Sequence, residues 1–263
     1  RRQRQMCIRD RLMMWIVALI IVVVARLGTR SIKEVPHGLQ NFVEWIVESL
    51  RNFLESVIGR DLTAKAFWFF ASAFIFILFT NWFGLFPGVG TVGYGTTDAH
   101  GHWHLETPLL RGANADLNMT LAMAIVFFIS WIFWSLRENG LVGFLKHIFG
   151  AKGDAQGGLK VLMIVVFFLV GILEIVSIAF RPVSLSFRLY GNIFAGETML
   201  EAMSELVPDM LGRSLIPVPF YFMELLVGMA QALVFTLLTA VFTFLMCDHG
   251  PEGHGDDHGK AHH

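Results

Sequence analysis

The sequence predicts an all-α membrane protein with about five transmembrane helices and one amphipathic interfacial helix. Three observations carry that reading. Hydrophobic residues make up 55% of the chain and charged residues only 16%, against roughly 45–50% apolar and about 25% charged in an ordinary soluble domain. The apolar excess is gathered into blocks close to the ~20 residues that cross ~30 Å of hydrocarbon. Lys and Arg concentrate after alternate blocks, as they do where loops remain on the cytoplasmic side.

The blocks are Leu12–Ala25, Leu62–Phe86, Leu117–Leu136, Val161–Phe180 and Val218–Met246. The first is short and reads as the remnant of a full span. The fourth runs on past Pro182. Between the first two, residues 38–59 differ: Leu39, Phe42, Val43, Ile46, Leu50, Phe53, Leu54 and Val57 recur at helical spacing, with Gln40, Glu44, Glu48, Arg51 and Glu55 mostly on the other side. That pattern fits a helix lying in the membrane interface or a cytoplasmic helix packed on a partner.

Arg26, Arg30, Lys33, Arg51 and Arg60 follow the first span, and Arg137, Lys146, Lys152 and Lys160 follow the third. The segments after the second and fourth spans carry only Arg111 and Arg213. Five spans with the N-terminus outside and the C-terminus cytoplasmic satisfy this asymmetry. The start, RRQRQMCIRD, opposes it, and its MCIRDR string resembles translated sequencing-adapter read-through. Residues 1–11 are therefore expected to be non-native or disordered, with the native N-terminus missing. Residues 12–247 form a single helical membrane domain, and 248–263 a His/Asp-rich cytoplasmic tail.

Composition also excludes function classes. A net charge of -1, without a basic stripe, gives no case for nucleic acid. Two distant cysteines, Cys7 and Cys247, support neither a disulfide framework nor a zinc site. Without a GxxxxGK[ST] loop, any part in nucleotide chemistry is indirect. No cofactor or resident metal is expected.

Function is carried by polar groups inside the apolar blocks, where an ionisable side chain costs roughly 2.5–3.5 kcal/mol to insert. The segment Glu174–Glu197 reads EIVSIAFRPVSLSFRLYGNIFAGE. At ~100° per residue, Glu174, Arg181, Ser184 and Asn192 fall within ~40° of Arg188, and Glu197 lies ~180° away. One helix would thus present polar groups to two different aqueous environments. Gly191 and Gly196 are expected to admit a neighbouring helix. In the last span, Glu224 and Gln231 share a face, ~20° apart.

On these residues the chain resembles subunit a of F-type ATP synthases, the stationary ion-conducting subunit beside the rotating c-ring. The resemblance rests on Pro182–Glu197 (PVSLSFRLYGNIFAGE), an Arg followed by Gly-Asn and then Ala-Gly-Glu. Asn81–Pro87 (NWFGLFP), Ala115–Thr120 (ADLNMT) and Gln231 agree in order. It implies a last-two-span tilted hairpin against the c-ring, and ion translocation, with H⁺ favoured over Na⁺, through two offset half-channels. Arg188 would face the rotor. Glu197, Glu224 and Asp116 would line the outer half-channel, Glu174 and Arg181 would lie toward the cytoplasmic one, and Asn192 and Gln231 would sit beside Arg188. Some family members carry His where this chain has Glu224. The chain would be a non-catalytic subunit of the bacterial plasma membrane, partnered by the c-ring, peripheral stalk subunit b and lipid.

Rival signals are weaker. Thr91–Gly95 reads TVGYG, the string of potassium-selective filters. A filter needs a short pore helix before it, whereas here a span-length block ends in Pro87 and Gly88, so the string reads as a Gly-rich loop. A secondary transporter would show repeats and paired broken helices, and none is visible. His100, His102 and His104, and the tail with Asp256 and Asp257, are compositional metal signals that read better as a solvated loop and a disordered tail. Cys247 reads as a plain small residue rather than a lipidation site.

Overall fold

A computed structural model describes residues 2–30, 32–86, 93–97, 103–108, 112–149, 158–205 and 217–247. Six α-helices occur among them: α1 Arg2–Thr29, α2 Leu39–Ile58, α3 Arg60–Gly84, α4 Leu117–Phe149, α5 Gly158–Glu205 and α6 Val218–Cys247. A two-stranded hairpin, β1 Gly93–Thr97 with β2 Trp103–Pro108, and a 3₁₀ turn at Ala113–Ala115 separate α3 from α4. Five helices are long and apolar enough to cross a membrane, all but α2. The predicted fold class holds, and the hairpin is added outside the spans.

The backbone is helical from Arg2 to Thr29 without interruption, including the stretch set aside in the sequence reading. Gly59, at φ +78, lets the chain turn directly from α2 into α3. Helix α2 buries Gln40, Leu50, Leu54 and Ile58 and leaves Phe42 and Trp45 exposed, as an amphipathic surface helix should. Gln40 ties it to the preceding segment by donating to the Lys33 carbonyl at 3.0 Å and accepting from the Lys33 amide at 3.3 Å.

Part of the expected Gly-rich loop is strand. Residues Gly93–Thr97 pair antiparallel with Trp103–Pro108, with an irregularity between Tyr94 and Gly95. Tyr, Thr and Trp favour the pleat, and the glycine is accommodated at the bulge. His104 lies in β2. Thr91, Val92, His100, His102 and the tail from 248 onward, including Asp256 and Asp257, lie outside the described residues.

The spans interlock through an aromatic and small-residue core. Phe70 is fully buried, and Phe127 meets Phe69 and Phe235 edge-on at 4.8 and 5.1 Å. Ala66, Ala232 and Ala240 are buried at the same core. Small residues let helices approach closely in lipid, where water gives apolar surfaces no reason to associate. Helix α4 continues beyond its expected end and breaks at Gly140, whose φ of +66 and ψ of 170 are not helical.

Helix α5 runs 48 residues straight through Pro182. Its apolar window, Val165–Met203, holds 39 residues, about 58 Å of helix at 1.5 Å per residue. That is nearly twice the thickness of the hydrocarbon layer, long enough to span with tilt. Few of its residues are buried, among them Ile178, Ser186, Leu189, Ile193 and Leu200. Most of α5 therefore faces outward, with Phe180, Phe187, Phe194 and Met199 exposed.

Candidate functional site

Helices α5 and α6 enclose a groove of about 430 Å³, lined by Asn192, Gly196 and Met199 of α5 and by Glu224, Val227 and Gln231 of α6. Three of the predicted residues, Asn192, Glu224 and Gln231, thus meet at one place. Glu224 is 5% exposed, and its Oε1 has no hydrogen-bond partner among the described residues. Its carboxyl rests directly on Gly196, where any Cβ would collide with it.

Glu197, the next residue, lies on the far side of α5 from Arg188, as helical phase predicts. A Cβ added at buried Gly112 would meet its Oε1. Each carboxyl is therefore seated on a glycine, Glu224 on Gly196 and Glu197 on Gly112. Gly191 behaves differently from expectation, because nothing lies within 4 Å of the position its Cβ would take. The tight approach on α5 is made at Gly196.

This end of α6 is fastened by α3. Asn81 Nδ2 donates to the Gly228 carbonyl at 2.9 Å, and Trp82 Nε1 to the Leu225 carbonyl at 3.1 Å. Asn114 Nδ2 donates in turn to Asn81 Oδ1, while Asn114 Oδ1 is buried without a partner among the described residues. Asn81 and Asn114 are both buried. Neither is among the site residues predicted from the sequence. The signal was available in Asn81, a carboxamide at the end of a fully apolar block, inside the NWFGLFP motif.

Glu174 and Arg181 form an ion pair at 3.1 Å. The Arg181 guanidinium also lies 4.2 Å over the Phe242 ring and 5.9 Å from the Trp131 ring. Arg181 therefore points inward, toward α4 and α6. Arg188, only ~20° away by helical phase, is exposed and has no ion-pair partner among the described residues. The predicted stripe is thus divided: Glu174 and Arg181 are paired within the molecule, Arg188 faces out and Asn192 lines the groove. Two residues before Arg188, Ser186 shares a buried hydrogen bond of 3.0 Å with Thr120 of α4. Asp116 lies outside the groove. Its Oδ1 accepts from the Asn118 amide at 3.0 Å, and its carbonyl accepts from the Met119 and Thr120 amides. That is the arrangement of a helix N-cap, here capping α4.

The family model described as ATP synthase A chain matches residues 11–243. The chain belongs to that family. It is 32% identical over 244 residues to ATP synthase subunit a of Gloeobacter violaceus, covering 93% of this chain and 84% of the relative. Against ATP synthase subunit a of Campylobacter jejuni it is 32% identical over 228 residues, covering 86% and 84%. Against that of Anaeromyxobacter dehalogenans it is 30% identical over 256 residues, covering 95% and 59%. The resemblance read from Pro182–Glu197 is therefore upheld across most of the chain. As an ATP synthase A chain, it is a multi-pass, non-catalytic component of the membrane sector.

Proposed function

We propose that this subunit translocates protons through two offset half-channels and couples that flow to rotation of a c-ring, and so to ATP synthesis. The observation that carries the proposal is Arg188: exposed on the outward flank of α5, among Phe187 and Phe194, without an ion-pair partner among the described residues. A cation at that depth is unfavourable unless a counter-charge comes from outside the chain. A rotor carboxylate supplies one. Facing lipid, that carboxyl must be neutral; beside Arg188 its anion is favoured. It releases its ion on one side of Arg188 and rebinds one from the other. Arg suits the barrier because it does not readily lose its own proton.

In this reading Glu197 and Glu224 serve the outer half-channel, with Asp116 near its mouth, and Glu174 and Arg181 belong to the cytoplasmic side. Asn192 and Gln231 flank Arg188. The driving force is about 2.3 kcal/mol per charge per 100 mV. The partners are a c-ring and the peripheral stalk subunit b, in a bacterial plasma membrane with the C-terminus cytoplasmic.

The test is ATP-driven acidification of inverted membrane vesicles holding the whole synthase, with Na⁺ present and absent. Wild type should pump protons, and Arg188→Ala and Arg188→Lys should both fail at normal assembly. Undiminished pumping by both variants rejects the reading. Pumping that requires Na⁺ replaces the ion. Potassium flux through the chain alone, indifferent to Arg188, would revive the TVGYG filter.

A further inference from the structure

Arg181 is a cation seven residues from Arg188 on the same helix, yet it is handled in the opposite way. Its NH2 contacts Glu174 at 3.1 Å, and its side chain is 25% exposed. Its guanidinium carbon lies 4.2 Å from the Phe242 ring of α6 and 5.9 Å from the Trp131 ring of α4. The next residue, Pro182, lacks an amide hydrogen, so the Ile178 carbonyl loses its helical partner there. A helix weakened at one point is fastened at that point to both neighbours.

The surfaces that Arg181 reaches are themselves fixed. Trp131 Nε1 donates to the Phe242 carbonyl at 3.2 Å, and Asn139 Nδ2 donates to the Met246 carbonyl. Ring and cation therefore meet on a framework tied together by α4. A small void of about 40 Å³, lined in part by Trp131, Arg181, Pro182 and Phe242, leaves little room for rearrangement.

We propose that Arg181 is a positioning residue: its stack on Phe242 and its pairing with Glu174 hold α5 against α4 and α6 at Pro182, and so set the orientation of Arg188 toward the rotor. It rests on the role given to Arg188 under the proposed function. It deepens that reading by removing Arg181 from the ions' path and making it a clamp. The planar guanidinium is required, since an ammonium can keep the ion pair but loses the flat stacking surface. The ring is required for its π-face, which an aliphatic side chain of similar bulk lacks.

The experiment uses the intact synthase in inverted vesicles. ATP-driven pumping and ATP hydrolysis are measured per assembled complex, with subunit content determined by blotting. Phe242→Leu, Arg181→Lys and Arg181→Gln should each lower the ratio of pumping to hydrolysis by about five- to tenfold, at near-normal assembly. Phe242→Tyr, which keeps the ring, should retain wild-type coupling. Phe242→Leu combined with Arg181→Gln should be no worse than Arg181→Gln alone, because both changes remove one contact. Wild-type coupling in Phe242→Leu overturns the proposal, as does loss that follows assembly alone. Additive losses also overturn it, because they assign Arg181 a separate task. Arg188→Ala is measured in parallel. If it pumps normally, the proposed function itself has failed. If it is inactive while the Phe242 and Arg181 variants are normal, only the clamp has failed.

Discussion

The two ends of the α5–α6 pair use the same kinds of residue to opposite effect. At one end, Glu224 and Glu197 sit on Gly196 and Gly112, and a Glu224 oxygen is buried without a hydrogen-bond partner among the described residues. At the other, Glu174 is paired with Arg181, and the cation is stacked on Phe242. A buried carboxyl oxygen without a hydrogen-bond partner carries a desolvation cost that nothing among the described residues offsets. A carboxylate paired with a guanidinium that stacks on another helix takes part in the contact between helices. Charge inside a membrane is therefore no single signal: one carboxyl is left short of partners, and the other is paired.

The largest effect expected is from Arg188→Ala, which should abolish ATP-driven pumping while leaving the carboxyl end and the clamp intact. Next comes Gly196→Ala. Its methyl group must displace the Glu224 carboxyl, an overpacking of about 1–3 kcal/mol. Pumping should fall by about tenfold or more, and shortening the opposing side chain with Glu224→Asp should restore part of it. No loss in Gly196→Ala would mean that the carboxyl has room, and the contrast between the ends would weaken. Glu224→Gln should slow pumping without abolishing it; an effect equal to that of Arg188→Ala would point to misfolding instead.

Smaller effects separate fastening from transport. Asn81→Ala removes the bonds to Gly228 and Asn114 and leaves buried groups unsatisfied, about 1–3 kcal/mol. It should lower the thermal stability of the detergent-solubilised complex more than it lowers pumping measured at 25 °C. Asp116→Ala should cost about 1 kcal/mol through the lost cap of α4. A fall in pumping out of proportion to that would show that Asp116 also serves the ion path.

Much of this was legible in the sequence because a polar residue in an apolar block stands out without an alignment. Arg188, Asn192, Glu224 and Gln231 stand out that way, and three of them, Asn192, Glu224 and Gln231, line one groove. The passage of α5 through Pro182 was also legible, since the apolar pattern continues on both sides. Other features depend on contacts distant in sequence. Gly191 and Gly196 look alike as letters, and only the arrival of Glu224 distinguishes them. Arg181 and Arg188 share a helical face, and the rings of Phe242 and Trp131 on other helices distinguish the first from the second. Asn114 gained its place by meeting Asn81 across 33 residues. The Gly93–Thr97 strand was hidden because its partner lies beyond a run of turn-forming residues.

The length of α5 has a consequence for the surrounding lipid. About 58 Å of helix is roughly twice the ~30 Å of hydrocarbon, so it spans with tilt and its ends are offset in the plane of the membrane. The two leaflets then touch different stretches of the same helix: one meets the segment before Pro182, the other the segment after it. Val165, Phe168 and Leu169 are exposed on the first stretch, and Phe194 and Met199 on the second. A change of lipid confined to a single leaflet would press on only one half of the helix, and the two halves differ in what they hold.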